Sequence, residues 1–442
     1  MLVLTPFALL GRLTSDPVGM AVARLTFIAI GALNAVLVAR LARRWGVAAA
    51  IVGGVTYACW FSAVNAEQTT LLEPLGTTAL LVALLLLLKR ETAPSVRAEL
   101  VAGVVLGLAC GLKIWYVAPF LTVIAWQLTA RRWRSAARVA ASGAAALGVV
   151  LLPFLILAGG RMYDMVIRAQ VDRQVTPLGQ RLARFGSITG VNLPFGSAHH
   201  AATIATDVAV VVLVLATLLC LTDRFARVVV AVFTVNLLVL LMSPSYFEHY
   251  AAFVAAPGAL LVGVGLTRAG SRPRVAALPV GAAAVVLLMV VSGVRIMSVP
   301  QGKSFPAARL RAAAPPGCVT ANDPAGLIQM NRLSSDLGSG CRVPVDILGF
   351  RRVSAIHMPS DQRTAKNIGD SLQHYLHDYL VSGRSFVVIH RPTRYMTRLL
   401  HALRTYPLLA DVDHVALRLG RDDNALGGGE TQRRNPALPA GR

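Results

Sequence analysis

Charge is what this sequence has least of. Only 14% of its 442 residues are Asp, Glu, Lys or Arg, while 55% are hydrophobic. A chain so poor in charge cannot cover a water-facing surface of ordinary composition, and one so rich in apolar residues is not disordered. Both classes are excluded, leaving an integral membrane protein. Acidic residues are scarcer than basic ones, 21 against 43, for a formal net charge of +22. That surplus is no argument for nucleic acid, because most of it falls in the short loops and tail where membrane proteins keep positive charge. The chain also lacks zinc-type ligand spacing, a P-loop and a GxSxG elbow, so ATP-driven and hydrolase mechanisms find no support. His199 and His200 are adjacent, and adjacent residues point apart on a helix, which disfavours a metal pair. No cofactor is evident, a divalent metal is left open, and no transporter-scale internal repeat is visible.

What is present in quantity is long apolar runs. They come in blocks of roughly 15 to 22 residues, the length that carries a helix across about 30 Å of hydrocarbon. The expected spans lie near 20–41, 47–64, 70–88, 100–112, 114–128, 137–157, 204–221, 228–242, 251–266 and 275–294, about ten helices. The short pair around Lys113 could be a broken or re-entrant hairpin. The opening MLVLTPFALLGR is too short to span and has no signal-peptide pattern, so 1–19 reads as an interfacial segment.

Arginines orient the spans. Alternate loops carry Arg40, Arg43 and Arg44, then Lys89, Arg90 and Arg97, then Arg131, Arg132, Arg134 and Arg138, then Arg224 and Arg227, then Arg268, Arg272 and Arg274. These are expected on the cytoplasmic side, and the intervening NAEQTT and SPSYFEHY face outward. The membrane domain therefore covers 20–296, and the chain beyond it is expected to be extracytoplasmic. There CVTAND and SFVVIH read as strands and KNIGDSLQHYLHDYL as an amphipathic helix. The expectation is a small α/β domain over 303–422 and a disordered tail over 423–442. Cys318 and Cys341 lie outside the spans, as a disulfide in an oxidising compartment or as two free thiols.

One outer loop, 160–202, breaks the charge rule with Arg161, Arg168, Arg173, Arg181 and Arg184. It is either a solvated amphipathic helix or a site for an anion, since guanidinium forks match phosphate oxygens. Other polar residues gather at outer helix ends. Glu67 and Glu73 flank QTTLL; Glu73 either lines a cavity or is a first-turn carboxylate favoured by the helix dipole. Lys113, in GLACGLKIWYVAP, either snorkels or pairs with phosphate. Glu248, His249 and Tyr250 sit at another mouth, where His249 either hydrogen-bonds an anionic headgroup or is an interfacial residue. Together these groups suit a lipid-linked anionic substrate with its head outside. A proton path would instead place charge near mid-bilayer.

The order of these parts resembles the C-type glycosyltransferases, membrane enzymes that use polyprenyl-phosphate sugars and include protein O-mannosyltransferases and aminoarabinose transferases. The similar stretches are PFALLGRLTSDPVGMAVARL, AEQTTLLEPLGTTALLVALLLL, GVVLGLACGLK, the loop with AQVDRQ, YFEHYAAFVAAPGALL and PPGCVTANDPAGLIQMNRLSSDLGSGC. The resemblance implies that Lys113, Arg173 and His249 contact the donor phosphate. Glu67, Glu73, Arg168, Gln170, Glu248 and Tyr250 would shape the sugar or acceptor pocket. It further implies a bacterial plasma-membrane enzyme, active on a polyprenyl-phosphate-linked sugar and an envelope glycan, lipid or protein acceptor. In the family the general base is usually an Asp in the first outer loop, and this chain opens where that loop would already have passed. Asp16 is the nearby candidate, and a start codon upstream of Met1 is the expected explanation. Two other classes stay in view: a polyprenyl-linked glycan transporter or flippase, and a catalytically silent envelope scaffold.

Overall fold

The computed structural model describes residues 2–88, 94–168, 177–189, 199–244, 246–270, 278–298, 304–344, 365–389, 397–413 and 415–421. They are mostly helical and form two compact units, Arg24–Val299 on one hand and Met1–Ala23 with Pro300–Arg442 on the other.

The helical unit follows the apolar runs. Its helices include α2 (Asp16–Ala42), α3 (Val47–Ala58), α4 (Phe61–Gln68), α5 (Glu73–Leu87), α6 (Val96–Leu112), α7 (Val117–Thr129) and α8 (Trp133–Ala158). Further helices cover His199–Cys220, Ala226–Met242, Ala252–Gly270 and Leu278–Ser298. Among the described residues three helices are individually long and apolar enough to cross a bilayer, Asp16–Trp45, Trp133–Ala158 and Glu248–Ala269. The run expected to span 47–64 as one helix is broken instead. Cys59 and Trp60 leave helical geometry and α3 meets α4 at 54°. Hydropathy is continuous through this stretch, so composition alone could not reveal the break.

Glycine spacing sets the closest packing. Gly103, Gly107 and Gly111 fall at i, i+4 and i+8 on one face of α6, the small-residue spacing that lets membrane helices approach. A Cβ at Gly103 would strike the Val139 carbonyl and the Ser142 hydroxyl, and one at Gly107 the Gly143 carbonyl, all on α8. Two residues beyond Gly111, Lys113 ends α6 with extended backbone, φ −153° and ψ 123°.

The other unit contains α1 (Thr5–Leu13) and the first turns of α2. It also holds a four-stranded sheet of order β1-β2-β4-β3: β1 (Val319–Ala321), β2 (Ser385–Ile389), β3 (Leu408–Val412) and β4 (Val415–Leu419). β1 and β2 are parallel, and β4 runs antiparallel to both of its neighbours. Strand alternation divides two cores. Val387 faces Leu310, Leu327 and Met330, whereas Phe386 and Val388 face Leu376, Tyr379, Leu399 and Leu403. The helix Ala365–Val381 supplies the second core from a stripe at 372, 375, 376, 379 and 380. Cys318 and Cys341 are disulfide-bonded, with Cα atoms 5.6 Å apart.

Candidate functional site

Glu73 opens α5 with Pro74 behind it, a residue suited to a helix's first turn because its missing N–H would be unpaired there anyway. Gly76, one turn on, has no side chain because the Tyr116 ring occupies that space. The Tyr116 hydroxyl donates to the Glu73 carbonyl oxygen at 2.9 Å. These contacts tie the start of α5 to the break between α6 and α7, where the chain turns through Ile114–Tyr116. That turn brings Lys113 onto Glu73, and the ammonium donates to Oε1 of the buried carboxylate.

Two more elements close around this pair. The turn Glu248–Ala251 sets His249 Nε2 3.9 Å from the same Glu73 oxygen. Tyr250 lies under the Lys113 ammonium, its ring centroid 4.0 Å away, and Trp115 stands at 4.6 Å. Trp115 and Tyr250 meet edge to face at 4.3 Å, and the His249 ring is stacked against Phe247 at 5.7 Å. The outcome is a cation boxed by aromatic faces, which favour it electrostatically, and anchored by one carboxylate oxygen. Lys113 and His249 keep 20% and 26% of their side chains exposed while Glu73 keeps 3%. An ammonium has three donors, and Glu73 occupies one. Lys113 and His249 are thus the side chains open to an incoming anion.

The expected residues divide cleanly. Glu73, Lys113, His249 and Tyr250 come together. Glu248 is on the same turn but exposed. Glu67 is buried on α4, where it accepts from the Tyr57 hydroxyl at 3.1 Å. Arg168 is exposed and lies 3.8 Å from Asp164, its i−4 neighbour. Gln170 and Arg173 lie outside the described residues. Asp16 belongs to the other unit, with both carboxylate oxygens engaged: one accepts the Ser334 N–H at 3.0 Å and the other the Ser334 hydroxyl. Its own N–H donates to Asn331 Oδ1 at 2.8 Å. That is a helix-capping arrangement for Leu333–Gly338 formed across 318 residues of sequence.

Arg184 also departs from the anion reading. It is buried, and its guanidinium donates to the carbonyls of Leu240, Leu241 and Ser243 at 2.7, 3.2 and 2.7 Å. It therefore satisfies the open C-terminal carbonyls of the Ala226–Met242 helix. Sequence reasoning passed over Trp115, Tyr116, Tyr57 and Asn34. The aromatics in KIWY adjoin the flagged lysine and could have been read as its partners. Asn34, in the middle of an apolar run, is the kind of intramembrane polar residue that calls for a named partner.

No protein-family model and no curated protein matches the chain. Solved structures do match, and what they share with this chain is its fold. ArnT from Cupriavidus metallidurans bound to undecaprenyl phosphate aligns with TM-score 0.54 and 14% identity over 90% of this chain and 83% of that one. The same protein in the apo state gives 0.55 and 15%, over 92% and 84%. The chain has the ArnT fold.

Proposed function

We propose that this chain is a membrane glycosyltransferase that moves a sugar from a polyprenyl-phosphate donor to an extracytoplasmic acceptor of the cell envelope. The observation that carries the proposal is the Lys113–Glu73–His249 cluster with its aromatic walls, on a fold shared with a protein that binds undecaprenyl phosphate.

The charge bookkeeping of such a transfer suits the cluster. A polyprenyl-phosphate sugar is a phosphodiester with one negative charge, and as its glycosidic bond breaks the leaving polyprenyl phosphate gains a second. Cations at the phosphate therefore interact more strongly with the transition state than with the bound donor, which is the condition for catalysis. Lys113 supplies a fixed charge. Glu73 orients it and stabilises the ammonium against the low dielectric of its surroundings. His249, near the same Glu73 oxygen, offers a further donor, with Phe247 and Tyr250 against its ring. Arg173, Arg168 and Gln170 are proposed to complete the donor pocket, with Glu248 and Tyr250 at its rim.

The test is transfer itself. Purified chain in nanodiscs is given undecaprenyl-phosphate-linked pentose or hexose, radiolabelled in the sugar, together with cell-envelope extract. Label is expected in an envelope product, alongside free undecaprenyl phosphate, with His249→Ala reducing both. Translocation of the labelled lipid across a bilayer without loss of its sugar would favour the transporter instead.

A further inference from the structure

α6 and α8, packed along their glycines, run in the same direction. Glu99 of α6 is paired with Arg138 of α8. Further along, a Cβ at Gly103 would meet Val139 and Ser142, one at Gly107 would meet Gly143, and one at Gly111 would meet Leu147 and Val150. The contacts advance together on both helices. The two are therefore parallel, and their first residues, Val96 and Trp133, lie at the same level.

Two positive helix-dipole ends, each worth about half a charge, thus sit side by side. Basic side chains add to them. Arg97 is in the first turn of α6, Arg134 in the first turn of α8, and Arg131 and Arg132 lead into α8. From 94 to 102 and from 127 to 138 the one carboxylate is Glu99, which Arg138 already holds. Arg132 lies against Trp126, 5.9 Å from the ring centroid. Arg97, Arg131 and Arg134 are exposed and have no ion pair among the described residues. Parallel dipole ends and like charges repel one another, so this arrangement costs stability until an anion offsets it.

The surface beside the arginines indicates the kind of anion. Arg97 begins a row on α6 that continues through Leu100, Val101, Val104 and Leu108 at helical spacing, all four of them exposed. On α8, Trp133 is 64% exposed next to Arg134. The helix it opens is long and apolar enough to cross a bilayer. Guanidinium, exposed indole and open apolar surface follow one another in the order of a phospholipid's phosphate, interfacial level and acyl chain. A soluble anion would meet the charges and leave the apolar row uncovered. Lys113 is at the other end of α6, about 24 Å away along the axis at 1.5 Å per residue, so this surface is separate from the site already described.

We propose that the paired starts of α6 and α8 bind an anionic phospholipid. Arg97, Arg131 and Arg134 hold its phosphate, Trp133 lies at its interfacial level, and an acyl chain runs along Leu100, Val101 and Val104. The bound headgroup neutralises the crowded helix ends and makes the lipid a stabilising part of the helical unit.

The experiment uses full-length chain, with phosphatidylglycerol and phosphatidylcholine of identical acyl chains as probes. In native mass spectrometry the wild type should retain phosphatidylglycerol in preference to phosphatidylcholine. Each arginine near an anionic headgroup contributes about fivefold, so Arg97→Gln/Arg131→Gln/Arg134→Gln should weaken that retention by about 10- to 150-fold. All three side chains are exposed, so this variant should fold. A charge-matched control, Arg40→Gln/Arg43→Gln/Arg224→Gln, removes three exposed arginines from other loops and should retain lipid as the wild type does. Phosphatidylglycerol should raise the unfolding temperature of the wild type and leave that of the first triple variant unmoved. In nanodiscs, brominated phosphatidylglycerol should quench Trp133 more than brominated phosphatidylcholine, read as the difference between wild type and Trp133→Phe. Equal retention of the two lipids by the wild type, or undiminished retention by the first triple variant, overturns the proposal. So does an equal loss in the control, which would make the attraction a diffuse effect of net charge. Equal quenching of Trp133 by the two brominated lipids overturns it as well.

Discussion

Replacing Lys113 with Met should injure this protein in two separable ways. The ammonium is the cation of a carboxylate whose side chain is only 3% exposed, and removing one partner of a buried pair leaves an uncompensated charge. That costs about 3–5 kcal/mol. The second injury is to the carrier, which would lose a hydrogen bond to a charged donor worth about 1.5–3 kcal/mol, or roughly 10- to 150-fold in Kd. The double variant Lys113→Met/Glu73→Gln separates them, because it removes both charges and should recover most of the stability. It should not recover binding. Thermal unfolding in detergent reads the first effect, and titration with undecaprenyl phosphate the second. Recovery of both in the double variant would make Lys113 a counter-ion and nothing more. A Lys113→Met chain as stable as wild type would refute the buried-pair argument altogether.

Three further outcomes are expected from the packing and the C-terminal unit. Gly107→Val places side-chain atoms against the Gly143 carbonyl and should lower the unfolding temperature by an amount equivalent to about 1–3 kcal/mol or more. Gly148→Ala, in the interior of α8 where a Cβ meets open space, should not lower it and should raise it slightly. Arg184→Met deprives three carbonyls of their donor and should cost about 1–3 kcal/mol, seen as faster hydrogen exchange near residue 240. In the C-terminal unit, burial pushes the Asp336 carboxyl up to about 6, against the partial relief of Arg332 and the Val319 N–H. A carboxyl raised in the folded state binds more protons there than when unfolded, so stability falls as pH rises from about 4 to 6. Asp336→Asn should flatten that fall and stabilise the unit above pH 6 by up to about 3 kcal/mol, read as proteolytic resistance of the C-terminal unit against pH.

The helices were legible because spanning a bilayer demands apolar runs of a definite length, and most observed helices lie within a few residues of those runs. The break at Cys59 and Trp60 was not, because a bend costs no change in hydropathy. In the C-terminal unit CVTAND and SFVVIH were read as the strands that became β1 and β2, while the hairpin β3–β4 was missed. Its sequence LLADVDHVALRL alternates imperfectly, and its turn uses Asp413 at φ 49° rather than glycine. For the site, Glu73, Lys113 and His249 were each conspicuous as charge at the end of an apolar run, but their meeting was invisible. They are 40 and 136 residues apart in sequence, joined only by helix packing. Asp16 and Arg184 show the reverse. Each looked chemically available, and each is used within the fold, one on Ser334 and the other on the carbonyls that end a helix. A sequence shows which residues are unusual for their surroundings, and only the partner decides whether the oddity is structural or open to a ligand.

That Lys113 and His249 hold the carrier phosphate is tested most directly by electron cryomicroscopy of the chain in nanodiscs with undecaprenyl phosphate. Phosphate density is expected within hydrogen-bonding distance of Lys113 Nζ and His249 Nε2, above the Tyr250 ring, with Glu73 still on the ammonium. Phosphate held elsewhere while Lys113 and His249 face only each other and Glu73 would contradict it.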